Sequence, residues 1–103
     1  MNRINLLKLG GKGDRIMYVI LVYDLNAKRT NKMLKLCRKY LNWIQNSVFE
    51  GEITEAKLKE LLSIAKKTID LDTDSIIIFK SRDQYWLDKE IIGQERSSTD
   101  VFI

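Results

Sequence analysis

An unbroken run of apolar and aromatic residues ends on a single carboxylate within residues 17–25, Met-Tyr-Val-Ile-Leu-Val-Tyr-Asp-Leu. The run is much shorter than the roughly 20 residues that a membrane span needs, and β-branched and aromatic residues are frequent in it. This composition predicts a β-strand that is buried on both faces. Its last polar residue, Asp24, stands where an ionised carboxylate is costly unless it has a partner or a cation.

Two later segments have helical periodicity. In residues 26–41 the apolar positions recur every three or four residues, which predicts a helix with one buried stripe of Met33, Leu36, Cys37, Tyr40 and Leu41. Cys37 belongs to that stripe, so we predict a core residue and not a nucleophile. A second helix is predicted from an N-cap at Thr54 to about Thr68, with a stripe of Leu58, Leu61, Leu62, Ala65 and Ile69.

The other apolar segments have extended character. Residues 43–53 fit two short strands, with a turn near Asn46-Ser47 or Glu50-Gly51, and they equally fit one bent strand. Residues 75–80 predict another buried strand, and residues 85–92 and 101–103 predict further extended pieces.

Three acids that precede residue 75 alternate like the first ligands of a calcium loop: Asp70, Asp72 and Asp74. The glycine and the terminal glutamate that such a loop requires are missing. We therefore predict a solvated turn at these three residues.

The order of elements is strand, helix, extended pair, helix, strand and tail. This order predicts an α+β protein with a ferredoxin-like β-α-β-β-α-β fold, in which two helices cover one face of a mainly antiparallel sheet. The tail predicts an extra C-terminal strand, which in other proteins often completes the sheet of a neighbouring protomer. The glycine-rich stretch at 10–13 predicts that residues 1–16 form a flexible N-terminal extension and that residues 17–103 form one domain.

Composition removes several classes of chemistry. The 103 residues include no histidine, which excludes Ser-His and Cys-His nucleophile pairs and all histidine metal sites. Any metal would therefore be held by oxygen ligands, which favours magnesium, manganese or calcium. A single cysteine and the lack of a signal-peptide core or a membrane-spanning run predict a cytoplasmic protein with no membrane partner.

Charge is distributed unevenly along the chain. Residues 26–41 contain six basic residues and no acid, whereas residues 42–103 contain eight basic and twelve acidic residues. A solvated helix face explains this basic segment by itself. A one-sided cationic surface beside a lone carboxylate also favours a polyanionic partner such as nucleic acid.

Three features occur together: Tyr23-Asp24-Leu25 at the end of the first strand, the basic helix that follows, and above all Gln-Asn-Ser-Val-Phe-Glu-Gly at 45–51. Together they resemble the CRISPR-associated Cas-two proteins (Cas2), the small partners of the Cas-one integrase (Cas1). The resemblance extends from Met17 to Ile103. The segments at 74–79 and 91–93 match later strands of the family.

The resemblance implies a ferredoxin-like protomer in a symmetric homodimer whose C-terminal strand packs across the partner. It also implies a phosphodiesterase that hydrolyses RNA or double-stranded DNA and depends on magnesium, with manganese as the alternative ion. In CRISPR immunity the same dimer bridges two Cas1 dimers during the acquisition of new spacers. Carried over by motif, Asp24 matches the metal-binding and catalytic aspartate of the family.

One carboxylate makes a poor magnesium site, so we hypothesise that Asp24 of two protomers face each other across a two-fold axis. The alternative is that Asp24 caps the turn after its strand. Lys28, Arg29 and Lys32 are candidate phosphate ligands. Tyr23, next to Asp24, is a candidate for base or phosphate contact, with a core role equally open. Ser47 is a candidate nucleic-acid contact.

Three functions stay open at this stage. The first is a dimeric metal-dependent endonuclease with Asp24 at its centre. The second is a non-catalytic architectural dimer that positions DNA and Cas1. The third is a ferredoxin-like protein that binds RNA or regulates without chemistry. No residue in the sequence identifiably reads a 2′-hydroxyl or a base edge, so RNA and DNA are not distinguished.

Overall fold

The computed structural model describes residues 15–82 and 90–94. These residues form four strands and two helices: β1 (Ile16–Asp24), α1 (Ala27–Arg38), β2 (Asn42–Gln45), β3 (Val48–Thr54), α2 (Glu55–Thr68) and β4 (Ser75–Ser81). The strands form one antiparallel sheet in the order β2-β3-β1-β4. The predicted β-α-β-β-α-β fold is thereby confirmed.

A tight turn at Asn46-Ser47 decides between the two interpretations of residues 43–53 in favour of two strands. Asn46 has a φ of 45°, a left-handed conformation that asparagine tolerates better than most residues. The indole Nε1 of Trp43 donates a hydrogen bond to the Asn46 carbonyl at 3.0 Å and so ties the turn to β2. The β2–β3 register shifts between Trp43 and Gln45.

Both helices begin at side-chain caps. The Asn26 side chain accepts a hydrogen bond from the Lys28 amide at 3.1 Å, and the Thr54 hydroxyl accepts one from the Lys57 amide at 3.2 Å. Each cap satisfies a backbone donor that the first helical turn leaves unpaired. The predicted N-cap at Thr54 is confirmed, whereas α1 ends at Arg38, earlier than the predicted residue 41.

The core lies between the two helices and one face of the sheet. Its largest fully buried side chains are Phe49, Leu21, Met33, Leu61, Val19 and Cys37. Burial raises the pKa of the Cys37 thiol to about 12, so the thiol stays protonated near neutral pH. The prediction that Cys37 is a core residue is confirmed.

Neither α1 nor α2 covers the other face of the sheet, which the described residues leave partly exposed. Ile77 and Phe79 of β4 are 52% and 53% exposed, and they pair with Val22 and Ile20 of β1. The predictions that β1 is buried on both faces and that β4 is a buried strand are therefore wrong for one chain, because both helices cover the same face. We call this apolar surface the open face; it consists of Ile20, Val22, Val48, Ile77 and Phe79.

The predicted N-terminal extension and extra C-terminal strand lie largely outside the described residues. Within the described part of that tail, residues 90–94 belong to no helix or strand. Neither α1 nor α2 is long and apolar enough to cross a membrane.

Candidate metal and nucleic-acid site

Asp24 is the last residue of β1 and lies opposite Ser75 of β4. Its side chain is exposed, and it makes no hydrogen bond or ion pair with another described residue. The helix cap after the strand is supplied by Asn26 instead. The structure therefore does not show the alternative in which Asp24 caps the following turn. The Asp24 carboxylate is left available to an external cation.

The carboxylate that organises this end of the sheet is Asp74. Its oxygens accept hydrogen bonds from the Asn26 amide at 3.0 Å, from the Asp70 amide at 2.9 Å, and from Arg29 Nε and a terminal guanidinium nitrogen at 2.6 and 3.2 Å. The Asp74 side chain is 1% exposed. One acid thus joins the loop after β1, the first turn of α1 and the loop before β4.

The prediction of a solvated turn at the three aspartates is confirmed for the exposed Asp70 and Asp72 and is wrong for Asp74. The Arg29 guanidinium and the two backbone amides hold the pKa of the Asp74 carboxyl far below its usual range. The hydrogen bond to Asp74 in turn raises the pKa of Arg29. Sequence reasoning missed this pair, because its members are 45 positions apart and nothing local marks Asp74 as the partner.

We expect the loss of folding stability at low pH to depend on Asp74. A carboxyl whose pKa is lowered by folding contributes stability above its unfolded pKa, near 4, and that stability is lost as pH falls toward the folded value. We expect Asp74→Asn to be less stable than the parent at neutral pH and to lose much of the parent's decline in stability below about pH 4. Urea unfolding across this range measures both effects.

The control for this experiment is Asp72→Asn, which changes an exposed acid in the same loop. It should keep the parent's pH profile. An Asp74→Asn profile parallel to that of the parent would contradict the assignment of Asp74 as the acid-sensitive group.

Around Asp24 lies a shallow cleft of about 400 Å³, which we call the Asp24 cleft; its lining includes Asp24, Asn26, Lys28, Arg29, Asp70 and Asp74. Three of the predicted site residues, Asp24, Lys28 and Arg29, therefore meet here. The Arg29 guanidinium is already paired with Asp74, whereas Lys28 is exposed. Among the described residues, no cluster of three or more His, Cys, Asp or Glu could hold a metal ion. The described part of one chain thus supplies an incomplete ligand set.

The basic helix presents a continuous cationic face. Four exposed lysines at intervals of four, three and four residues share one side of α1 and its C-cap: Lys28, Lys32, Lys35 and Lys39. None of these four, which we call the lysine stripe, has an ion pair with another described residue. Such a row suits the phosphates of a nucleic-acid backbone. Two predicted phosphate ligands, Lys28 and Lys32, lie on the lysine stripe. Lys35 and Lys39 extend it beyond the residues predicted from the sequence.

Tyr23 and Ser47 do not line the Asp24 cleft. Tyr23 precedes Asp24 in β1, and consecutive strand residues point to opposite faces of a sheet. Its ring is 5% exposed and stacks on Phe49 with centroids 6.0 Å apart. Its amide donates a hydrogen bond to the Ser47 carbonyl at 3.2 Å. The structure thus supports the core role for the Tyr23 ring.

A second cleft of about 370 Å³ lies between α1 and the β2–β3 turn, and we call it the hairpin cleft. Its lining consists of Tyr23, Thr30, Asn31, Leu34, Asn46 and Ser47. The predicted site residues therefore divide into three groups: the Asp24 cleft, the lysine stripe and the hairpin cleft. Thr30 and Asn31 were not singled out from the sequence, in which isolated asparagine and threonine carry no distinctive signal. Asn46 was predicted as a turn residue and as part of the motif at 45–51, but not as a site residue.

Comparisons with known proteins agree with this architecture. The model of the family described as CRISPR associated protein Cas2 matches residues 17–89. A protein of Fusobacterium nucleatum named CRISPR-associated endoribonuclease Cas2 is 44% identical to this chain, and the alignment covers 97% of this chain and 96% of the relative. A relative of the same name from Dictyoglomus turgidum is 46% identical, over 84% of this chain and all of the relative.

Solved structures lead to the same family. One Cas2 crystal structure superposes with a TM-score of 0.73 at 41% identity, covering 80% of this chain and 92% of that one. Streptococcus pyogenes Cas2 at pH 6.5 superposes with a TM-score of 0.63 at 30% identity, covering 72% and 98%. With the antiparallel β2-β3-β1-β4 sheet and the matched family model, these likenesses show that the chain belongs to the CRISPR-associated Cas2 family.

Proposed function

We propose that this protein is a magnesium-dependent endonuclease that hydrolyses phosphodiester bonds of RNA or DNA and takes part in spacer acquisition as a homodimer. The observation that carries the proposal is the exposed Asp24 carboxylate, which has no partner among the described residues and lies at the end of β1 beside Lys28. Support also comes from the relatives, whose names describe endoribonucleases.

The open face supports a two-fold dimer. Asp24, Val22 and Ile20 alternate with the buried residues of β1 and so share the face that carries Ile77 and Phe79. A self-complementary apolar face is what a symmetric interface requires. Packing of two open faces about a two-fold axis would bring the two Asp24 carboxylates toward one another and exclude water from the isoleucine and phenylalanine side chains.

The Asp24 carboxylate of one chain is a suitable ligand for magnesium, and a second protomer would supply another. Carboxylate oxygens are the ligands that this ion prefers, and proteins commonly hold it by one or two carboxylates with water and substrate phosphate. When bound, the ion would supply positive charge to the scissile phosphate and activate water. Asp24 of each protomer would hold it, while Lys28 and Lys32 would bind flanking phosphates and orient the backbone.

The second candidate is an architectural dimer that bridges Cas1 integrase dimers and positions DNA without cleaving it. It is favoured by the incomplete ligand set within the described residues of one chain. The lysine stripe and the open face serve both functions equally. The two candidates differ in whether the Asp24 carboxylate is needed for cleavage or for spacer acquisition.

Calorimetric titration with magnesium tests the enzyme proposal. We expect the parent protein to bind about one ion per two chains and the Asp24→Asn variant to bind none, because the paired Asp24 carboxylates are the proposed ligands. Manganese should bind the same site. A monomeric parent, or a protein that takes up no magnesium while its nucleic acid is bound, would refute the metal site and leave the architectural candidate.

A further inference from the structure

We propose that the hairpin cleft, on the side of the sheet away from Asp24, is the site that holds one unpaired nucleobase of a bound strand. This inference rests on the proposed function, because it extends the nucleic-acid surface of the lysine stripe. It assigns a ligand class to a cavity that the Asp24 site does not use.

The lining of the cleft has the chemistry of a base-edge reader. The side-chain amides of Asn31 and Asn46 and the hydroxyls of Ser47 and Tyr23 make no hydrogen bond with another described residue. Amides and hydroxyls both donate and accept, as the edges of exposed bases require. The lining contains no charged side chain, which distinguishes it from a phosphate site.

An apolar contact completes the cavity. The half-buried Leu34 of α1 and the buried Tyr23 both line the cleft and contribute hydrocarbon to it. The Tyr23 hydroxyl remains a neutral donor near physiological pH, because burial raises its pKa to about 12. A planar ring that enters between polar rim residues would meet hydrocarbon on one side and hydrogen-bonding groups at its edge.

Two residues at the rim of the hairpin cleft, Asn46 and Ser47, are held in place by hydrogen bonds before any ligand binds. The Trp43 indole donates to the Asn46 carbonyl at 3.0 Å, and the Tyr23 amide donates to the Ser47 carbonyl at 3.2 Å. The Arg38 guanidinium lies over the Trp43 ring, 5.6 Å from its centroid, and this cation–π contact further stabilises the position of the indole. Preorganisation of this kind lowers the entropic cost of binding.

The cleft and the lysine stripe are neighbours on one helix. Asn31 precedes Lys32 and Leu34 precedes Lys35, and consecutive residues of a helix are separated by roughly 100° about its axis. Phosphates on the lysine stripe would therefore leave an attached base within reach of the hairpin cleft. Bases of a duplex are stacked and paired inward, so the cleft would select an unpaired nucleotide.

A binding experiment with an abasic strand tests the inference. Fluorescence anisotropy in a chelating buffer, which prevents cleavage, compares a short single-stranded RNA with an abasic strand of the same length. We expect the parent to bind the RNA about tenfold or more tightly than the abasic strand, in line with the contribution of one buried base. Asn31→Trp, which places an indole in the cleft from an exposed helix position, should remove this preference and leave the abasic affinity unchanged.

Three further variants make the result decisive. Asn31→Leu removes the amide at similar size and should also reduce the preference, which guards against misfolding of the larger substitution. Lys32→Leu should weaken the binding of both strands equally, and Ser63→Trp, on the exposed face of α2, should change the affinity for neither.

Equal affinity of the parent for both strands would overturn the assignment of a base to the hairpin cleft, while phosphate binding would stand. Failure to bind either strand would overturn the proposed nucleic-acid function as well.

Discussion

Replacement of Asp24 by asparagine is expected to abolish metal-dependent cleavage while leaving the fold intact. The Asp24 side chain is exposed and makes no hydrogen bond with another described residue, so the substitution removes no side-chain contact there. The variant loses the charge that would hold the cation, and metal ions contribute several kcal/mol to phosphodiester hydrolysis. Since each 1.4 kcal/mol is a factor of ten, the rate should fall at least about 100-fold.

The measurement is the rate of RNA cleavage at saturating magnesium, together with unfolding curves and anisotropy of bound RNA. Asp72→Asn removes an exposed carboxylate from a neighbouring loop and should keep full activity. If Asp24→Asn retains the parent's chelator-sensitive rate, Asp24 is not the metal ligand. Loss of cleavage with normal spacer acquisition would instead assign the biological role to the architectural dimer.

Replacement of Phe79 by aspartate should separate the proposed dimer and remove cleavage with it. Phe79 is 53% exposed in the single chain, so the folded protomer tolerates the change. In a dimer built on the open face, the same residue would place an unpaired charge of each protomer in a desolvated apolar interface, which costs several kcal/mol. We expect the dimer dissociation constant to rise at least about 100-fold.

Sedimentation at several protein concentrations measures this change, and cleavage assays on the same samples show whether activity follows the dimer. The matched control is Ile64→Asp, which adds the same charge at an exposed apolar position of α2, 41% exposed and away from the sheet. It should remain dimeric and active. A Phe79→Asp variant that stays dimeric would exclude the open face as the interface.

Much of the fold followed from local patterns. The unbroken apolar run of β1 and the three-and-four spacing of both helices depend on neighbours within one or two turns, so periodicity alone indicates them. The tight turn at Asn46-Ser47 was one of several possibilities, because glycine and asparagine signals compete across residues 46–51. Its choice depends on the pairing of β3 with β1, which is a long-range property.

In the candidate site, the sequence predicted some residues and their roles but missed one contact. Asp24 was found from its place at the end of an apolar strand and from the family motif, and the lysine-rich helix was evident from charge alone. Arg29 was predicted as a phosphate ligand, yet its guanidinium is held by Asp74. No local pattern reports that contact, because it forms only when the loop before β4 closes onto the start of α1.

From the chain alone came the strand that ends on Asp24, the basic helix that follows it, and the absence of histidine chemistry. These properties depend on residue identity and spacing, which folding leaves unchanged. The burial of Asp74, the exposure of Ile77 and Phe79, and the gathering of Asn31, Asn46 and Ser47 around one cleft came from three-dimensional packing. Burial and proximity between distant segments depend on which faces the helices cover and where loops close, and no short stretch of sequence encodes either.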